Sequence, residues 1–161
     1  MWWLASLLGL ACANPPEDPA ERQARIEKMY DDYRKLGFAK VPDVEPAALS
    51  TLDHPVLVDV RPEEERKVSM IPGAITKEAF EADPEKYRGQ TIVPYCTIGA
   101  RSGLYAKKLM NDGWEVRNLK GSLLSWTYAG LPLEDENGPT HRVHTYGKRW
   151  ALQADGYESV W

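Results

Sequence analysis

Apolar positions along the chain recur first at helical spacing and then in short continuous runs, and the switches between the two patterns mark its elements. Ile26, Met29, Tyr30, Tyr33 and Leu36 fall on one face of a helix. Asp18 supplies an N-cap, Pro19 a first turn, Glu21 a capping-box acid and Gly37 a C-cap, so this helix is expected from about Asp18 to Leu36. It reads as a packing helix placed ahead of the main domain, with a partner-binding helix as the alternative. Pro42 to Leu52 repeats a helical pattern briefly. Val56 to Val60 is an apolar run of the kind that makes a strand buried on both faces, and an acid within it, Asp59, needs partners.

Glu63, Glu64, Glu65, Arg66 and Lys67 form a charge run expected on a solvated helix face. Lys77 to Lys86 reads as a helix interrupted at Pro84, and Thr91 to Tyr95 as a strand. Pro94 has no amide to give a central strand, so a bulge or a turn is expected there. Leu104, Tyr105, Ala106, Leu109 and Met110 recur at helical spacing until Asn111-Asp112-Gly113 stops them; Glu115 to Leu119 is the next strand and Leu123 to Tyr128 the next helix. Strands alternating with helices across short turns predict an α/β sandwich with a mostly parallel sheet, which holds ligands at the carboxyl ends of its strands. Glu134 to Thr140 is a polar, turn-rich linker. After it His144, Tyr146, Lys148 and Trp150 alternate onto one face, predicting a strand or hairpin, and Tyr157 and Trp161 add aromatic area. This last stretch reads as a flap over a sheet edge or helix face; a lid over the site or a dimer contact is the sharper alternative.

Candidate chemistry converges on Val93 to Gly103, where an apolar run ends at Cys96 and turns at once into a helix. The first amides of a helix lack intrahelical acceptors and the macrodipole places partial positive charge there, which favours a thiolate at Cys96. Gly99 permits a positive φ that brings amides toward the sulfur, and Arg101 adds a permanent charge. A lone buried cysteine is usually a small hydrophobe. The turn position together with Gly99 and Arg101 marks this one as a nucleophile. Ser102 either caps the helix or donates to a bound anion. His54, His141 and His144 are scattered, with no spacing for a metal site or a Cys-His pair, and read as surface or packing residues.

The loop Cys96 to Arg101, a cysteine, four residues and an arginine, resembles the active-site loop of the rhodanese (sulfurtransferase) family. Leu57-Val58-Asp59-Val60-Arg61, Ile71-Pro72-Gly73-Ala74, Asn118-Leu119-Lys120-Gly121-Ser122, Trp126 and Gly130-Leu131-Pro132-Leu133 match further family motifs in order, over about Val56 to Leu133. Met70 stands where many members have histidine, and Ser122 where a second glycine is usual. The resemblance implies a three-layer sandwich, with helices on both faces of a mostly parallel sheet, and double displacement. The Cys96 thiolate takes the outer sulfur of a donor such as thiosulfate and holds it as a persulfide. It then yields that sulfur to cyanide, a thiol or an acceptor protein. By the same resemblance Cys96 and Arg101 are catalytic, Thr97, Ile98, Gly99, Ala100 and Ser102 bind substrate, and Asp59 and Arg61 give structural support. No cofactor and no metal are implied. The related Cdc25-type phosphatases and arsenate reductases share the Cys and Arg but are expected to have a loop one residue longer. A non-catalytic interaction module is the other alternative, and such modules commonly lose the cysteine.

Composition narrows the setting. The chain has 161 residues, 43% hydrophobic and 27% charged, enough for one domain with short additions. A formal net charge of -4 and a pI near 5.4 argue against a nucleic-acid partner. Met1 to Ala13 carries no charged side chain, is too short to span a bilayer and ends in Ala11-Cys12-Ala13, a small-x-small site. It is expected to be a cleaved export signal, giving a periplasmic or secreted protein; alternatively Cys12 is the lipidated first residue of a membrane-anchored lipoprotein, or the segment is an uncleaved tail. Cleavage after Ala13 leaves Cys96 as the only cysteine, so no disulfide framework follows. The expected division is a signal over 1–13, a linker and helix over 14–40, a rhodanese-like domain over 41–133 and an extension over 134–161.

Overall fold

The computed structural model describes residues 13–161. The signal expected over Met1 to Ala13, and with it the fate of Cys12, lies outside the described residues save for Ala13. Among the described residues no helix is long and apolar enough to cross a membrane.

Helix α1 (Pro19–Gly37) opens the structure. The Asp18 carboxylate caps it by accepting from the Ala20 amide at 2.8 Å, and Gly37 is its last helical residue, with Phe38 rather than the glycine at the C-cap. Two arginines on α1 turn inward and hold the preceding linker. Arg22 donates to the carbonyls of Pro16 and Glu17 and pairs with Asp155, while Arg25 donates to the carbonyls of Asn14 and Ala13.

The chain then alternates strand and helix: β1 (Asp43–Val44), β2 (Val56–Asp59), α2 (Glu63–Arg66), β3 (Ile75–Thr76), α3 (Lys77–Ala82), β4 (Ile92–Tyr95), α4 (Ala100–Asn111), β5 (Asn118–Leu119) and α5 (Ser122–Tyr128). The short pattern of Pro42 to Leu52 is a 3₁₀ turn over Pro46–Thr51, and the helix interrupted at Pro84 continues as another over Pro84–Tyr87. Strands β3-β2-β4 pair in parallel, β1 pairs in parallel with β5, and a parallel bridge from Ile92 to Val116 joins the two sets. The central sheet thus runs β1-β5-β4-β2-β3 with every strand in the same direction.

Pro94 makes neither a bulge nor a turn. It lies inside β4 opposite Val58. The carbonyls of Thr91 and Tyr95 face β2, where they accept from Val56 and Val60, whereas Ile92 faces the other way and bonds to the backbone of Glu115 and Arg117. Pro94, two residues on, faces that second side, where the ladder stops because Asn118 and Lys120 donate instead to Pro42 and Val44 beside β1. The missing amide therefore costs no bond to β2.

Alternation along β4 divides the core. Ile92 packs with Tyr30, Phe38, Val58, Phe80, Tyr105 and Leu109 on one face, under α1, α3 and α4. Val93 and Tyr95 pack with Leu119, Leu123 and Trp126 on the other, under α5. A third cluster of Ile26, Met29, Ile98, Leu124 and Leu152 ties α1 to the loop after β4 and to the chain end.

The polar stretch after Leu133 is a hairpin, β6 (Leu133–Asp135) against β7 (Gly138–Thr140), rather than a linker. Of the strand or hairpin expected next, only β8 (Arg142–His144) is extended. It pairs in parallel with β9 (Glu158–Val160), and Lys148–Trp150 is a 3₁₀ turn between them.

Where α1 ends, the Phe38 ring lies so close to α4 that a Cβ at Gly103 would fall 2.3 Å from its Cζ. Gly103→Ala should overpack this contact and destabilise the protein by about 1–3 kcal/mol, read as a lowered midpoint in denaturant titration at unchanged slope.

Candidate active site

Cys96 follows β4 at the carboxyl ends of the strands and is 1% exposed. Its sulfur accepts from the Gly99 amide at 3.1 Å and from the Ser102 hydroxyl at 3.6 Å. Gly99 reaches this position because its φ is 101°, the left-handed conformation that glycine adopts without a Cβ penalty. A Cβ there would also fall 2.6 Å from the Tyr30 ring. Beneath the loop Asn118 Nδ2 donates to the Gly99 carbonyl at 2.9 Å and to the Tyr30 hydroxyl at 3.0 Å, and that hydroxyl donates to Asp43 at 2.6 Å. Burial and the adjacent carboxylate push the Tyr30 phenol far above its ordinary range, so it stays protonated and keeps donating.

Helix α5 holds the other side of the loop. Its Leu123 and Leu124 amides donate to the carbonyls of Cys96 and Thr97, so orphan donors of a helix N-terminus are satisfied by the loop backbone. Ser122 accepts from the Cys96 amide at 3.1 Å, donates to the Leu119 carbonyl at 3.1 Å and lies 3.5 Å from Ser102 Oγ. It does so at a φ of 45°, a strained conformation for a side chain. The departure from the family glycine thus sits against the cysteine itself.

The expected loop residues separate by role. Ile98 packs into the cluster of Ile26, Leu124 and Leu152, with Ala100 against it, so the side chains of these two belong to the core. Asp59 and Arg61 are fully buried and bond to one another at 2.9 and 2.7 Å. Arg61 also donates to the Ser69 carbonyl at 2.7 Å, fixing the turn ahead of Ile71. Among the described residues no group of three or more His, Cys, Asp or Glu side chains could hold a metal ion.

Glu65 corrects the reading of its segment as a solvated face. It is 3% exposed, and its carboxylate receives Arg101 through two bonds, at 2.8 and 2.9 Å. Thr97 Oγ1 lies 3.3 Å from Arg101 and 3.4 Å from Glu65, and the Tyr146 hydroxyl donates to both Glu65 oxygens at 3.2 and 3.4 Å. The Arg101 guanidinium stands 5.2 Å from the centre of the Tyr146 ring. Rings of His144 and Trp150 meet that ring edge-on, each at 5.7 Å. His144 is therefore a packing residue in the second layer of the site, its Nδ1 4.0 Å from Glu65.

With this geometry in place, the comparison with known proteins is decisive at the family level: the rhodanese-like domain model matches residues 46–129, more than half of the chain. The chain belongs to the rhodanese-like family. A sulfurtransferase of Allochromatium vinosum is 32% identical over 94 residues, 56% of this chain and 88% of that protein. A tRNA sulfurtransferase of Desulfurococcus amylolyticus is 31% identical over 112 residues, 66% of this chain but 23% of its own length. Among solved structures, a thiosulfate sulfurtransferase from Pseudomonas aeruginosa shares the fold with a TM-score of 0.53 at 22% identity, covering 68% of this chain and 23% of that one. A Rhodopseudomonas palustris protein of unknown function, a possible tyrosine phosphatase, matches with a TM-score of 0.53 at 25% identity, covering 68% and 93%.

Tyr30, Asp43 and Tyr146 lie outside the residues that the rhodanese-like model matches. None of these, nor Glu65 or Asn118, stood out in the sequence as a site residue. Three adjacent glutamates give no sign of which one faces inward. Tyr30 carries the pattern of any core position, and Tyr146 was visible only as part of an aromatic face.

Burial alone would raise the Glu65 carboxyl, but the Arg101 bonds, with Arg101, Arg61 and His144 charge nearby, hold it below its ordinary 4.5. A carboxylate depressed on folding contributes stability that is fully present above the ordinary value and lost as pH falls through the lower folded one. Wild type should therefore lose more stability than Glu65→Gln between about pH 5 and pH 3 in urea titrations. Parallel pH profiles for the two proteins would remove Glu65 from this role.

Proposed function

We propose that this rhodanese-like protein is a sulfurtransferase that carries a sulfane sulfur on Cys96. The observation that carries the reading is the closed six-residue loop Cys96 to Arg101, with the Gly99 amide and the Ser102 hydroxyl both directed at the buried sulfur. Such donors stabilise negative charge on sulfur, first as thiolate and then as persulfide. The thiolate attacks the outer sulfur of thiosulfate or a thiosulfonate. One S–S bond forms, the donor's S–S bond breaks, and sulfite or a sulfinate leaves with the electron pair. A nucleophile such as cyanide then takes the outer sulfur and restores the thiolate.

The loop is also confined. Tyr30 packs against Gly99 from below, and α5 binds two loop carbonyls from the side. That confinement favours a single sulfur atom over a tetrahedral phosphate. Intact mass spectrometry after incubation with excess thiosulfate or methanethiosulfonate should show one added sulfur, removable by cyanide and absent in Cys96→Ser. An unchanged mass with every donor, in protein whose Cys96 is demonstrably reduced, defeats the reading. Faster hydrolysis of an aryl phosphate than transfer of sulfur would favour the phosphatase alternative.

Among the described residues Cys96 is the free cysteine, and with the signal cleaved after Ala13 the persulfide has no resolving thiol in its own chain. Transfer goes to an external acceptor and the kinetics are ping-pong. Initial rates over a grid of donor and acceptor concentrations should give parallel double-reciprocal lines, and intersecting lines would show a ternary complex instead.

A further inference from the structure

Arg101 is the nearest fixed cation to Cys96 in sequence, yet its two terminal nitrogens are already engaged by a carboxylate. We propose that Glu65 and Tyr146 form a charge-selective gate on Arg101, so that the Cys96 site discriminates against strongly anionic sulfur donors such as thiosulfate in favour of donors of lower charge, such as organic thiosulfonates. The selectivity rests on the sulfurtransferase reading, whereas the gate itself is a statement about geometry and charge.

The bidentate pair uses the fork of donors that an oxyanion needs, and Glu65 is too buried to swing into water without rebuilding α2. An anionic donor must therefore approach the half-exposed Arg101 guanidinium against the charge of a carboxylate that is already bound to it and is itself buried. Tyr146 holds the gate shut. Its hydroxyl donates to both carboxylate oxygens and its ring backs the guanidinium, so each partner of the pair is fixed from the same side. Burial pushes that hydroxyl up to about 12, which keeps it a donor at neutral pH. Tyr146 is itself held edge-on by His144 and Trp150, all three from the stretch beyond the family match. These are positioning residues: none of them bonds to the sulfur.

The test compares Cys96 alkylation by iodoacetate and by iodoacetamide, reagents that differ in charge and little in size. The ratio of the two rates reports how much free positive charge the site presents. Relative to wild type, Glu65→Gln should raise the iodoacetate-to-iodoacetamide ratio by at least about fivefold and Tyr146→Phe by at least about twofold, since the first removes the full charge paired with Arg101 and the second only loosens it. In parallel, the KM for thiosulfate relative to methanethiosulfonate should fall in both variants, with kcat moving less than KM. If Glu65→Gln does not fold, Tyr146→Phe decides alone. Unchanged ratios in the folded variants overturn the gate. Ratios that shift while no donor loads sulfur onto wild-type Cys96 would uphold the gate and overturn the sulfurtransferase reading.

Discussion

A buried sulfur at the end of a buried strand must find its hydrogen bonds within the loop that carries it, and this site is built around that constraint. The chain has to reverse from β4 into α4 within Cys96 to Ala100 while aiming an amide back at Sγ. Only a left-handed residue at Gly99 does this, and the space beneath Gly99 is filled by the Tyr30 ring. Tyr30 in turn is fixed through Asn118 and Asp43, which bring β5 and β1 into the support of the loop. Loss of any one of these leaves a buried donor or acceptor unpaired, which costs about 1–3 kcal/mol, more than the net gain from a typical hydrogen bond.

A second constraint is electrostatic. Glu65 is buried and charged, and a buried carboxylate is tolerated only with partners. Arg101 supplies two bonds, with Tyr146 and Thr97 completing the shell. The Arg101 side chain is 40% exposed, so solvent screens the pair and its net contribution to stability is modest. Its effect on the site is larger than its effect on the fold, because it decides what the one loop arginine can bind. The separate pair of Asp59 and Arg61 is fully dry and lies behind Tyr95, where it fixes the turn at Ser69 and touches nothing that reacts.

The parts of the molecule that were legible in sequence are those governed by periodicity. The α1 face, the runs of β2 and β4 and the strand-to-helix turn at Cys96 follow from apolar spacing and from glycine chemistry, and the parallel sheet follows from their alternation. Pro94 misled because a missing amide matters only on the side where a neighbour waits for it, and strand pairing is not written in the strand's own sequence. Glu65 was hidden among equivalent glutamates. Ser122 stood out as a departure from the family glycine, but its place beside the cysteine comes from the α5 turn, which spacing alone does not describe. The parallel pairing of β8 with β9 was illegible for a similar reason: two short strands far apart in sequence meet through the packing of what lies between them.

The segments on either side of the matched domain therefore cannot be treated as appendices. From the N-terminal side, α1 supplies Tyr30, the floor of the sulfur loop. From the C-terminal side comes Tyr146, which lies over the loop arginine. The two segments are joined directly, since Arg22 on α1 pairs with Asp155, and Ile26 and Met29 share an apolar cluster with Leu152. A shift of either one moves the floor or the cover of the same loop. In this chain the rhodanese-like scaffold supplies Cys96 together with Gly99, Ser102, Glu65 and Arg101, while the ring beneath the loop and the ring over its arginine come from residues the family model does not match.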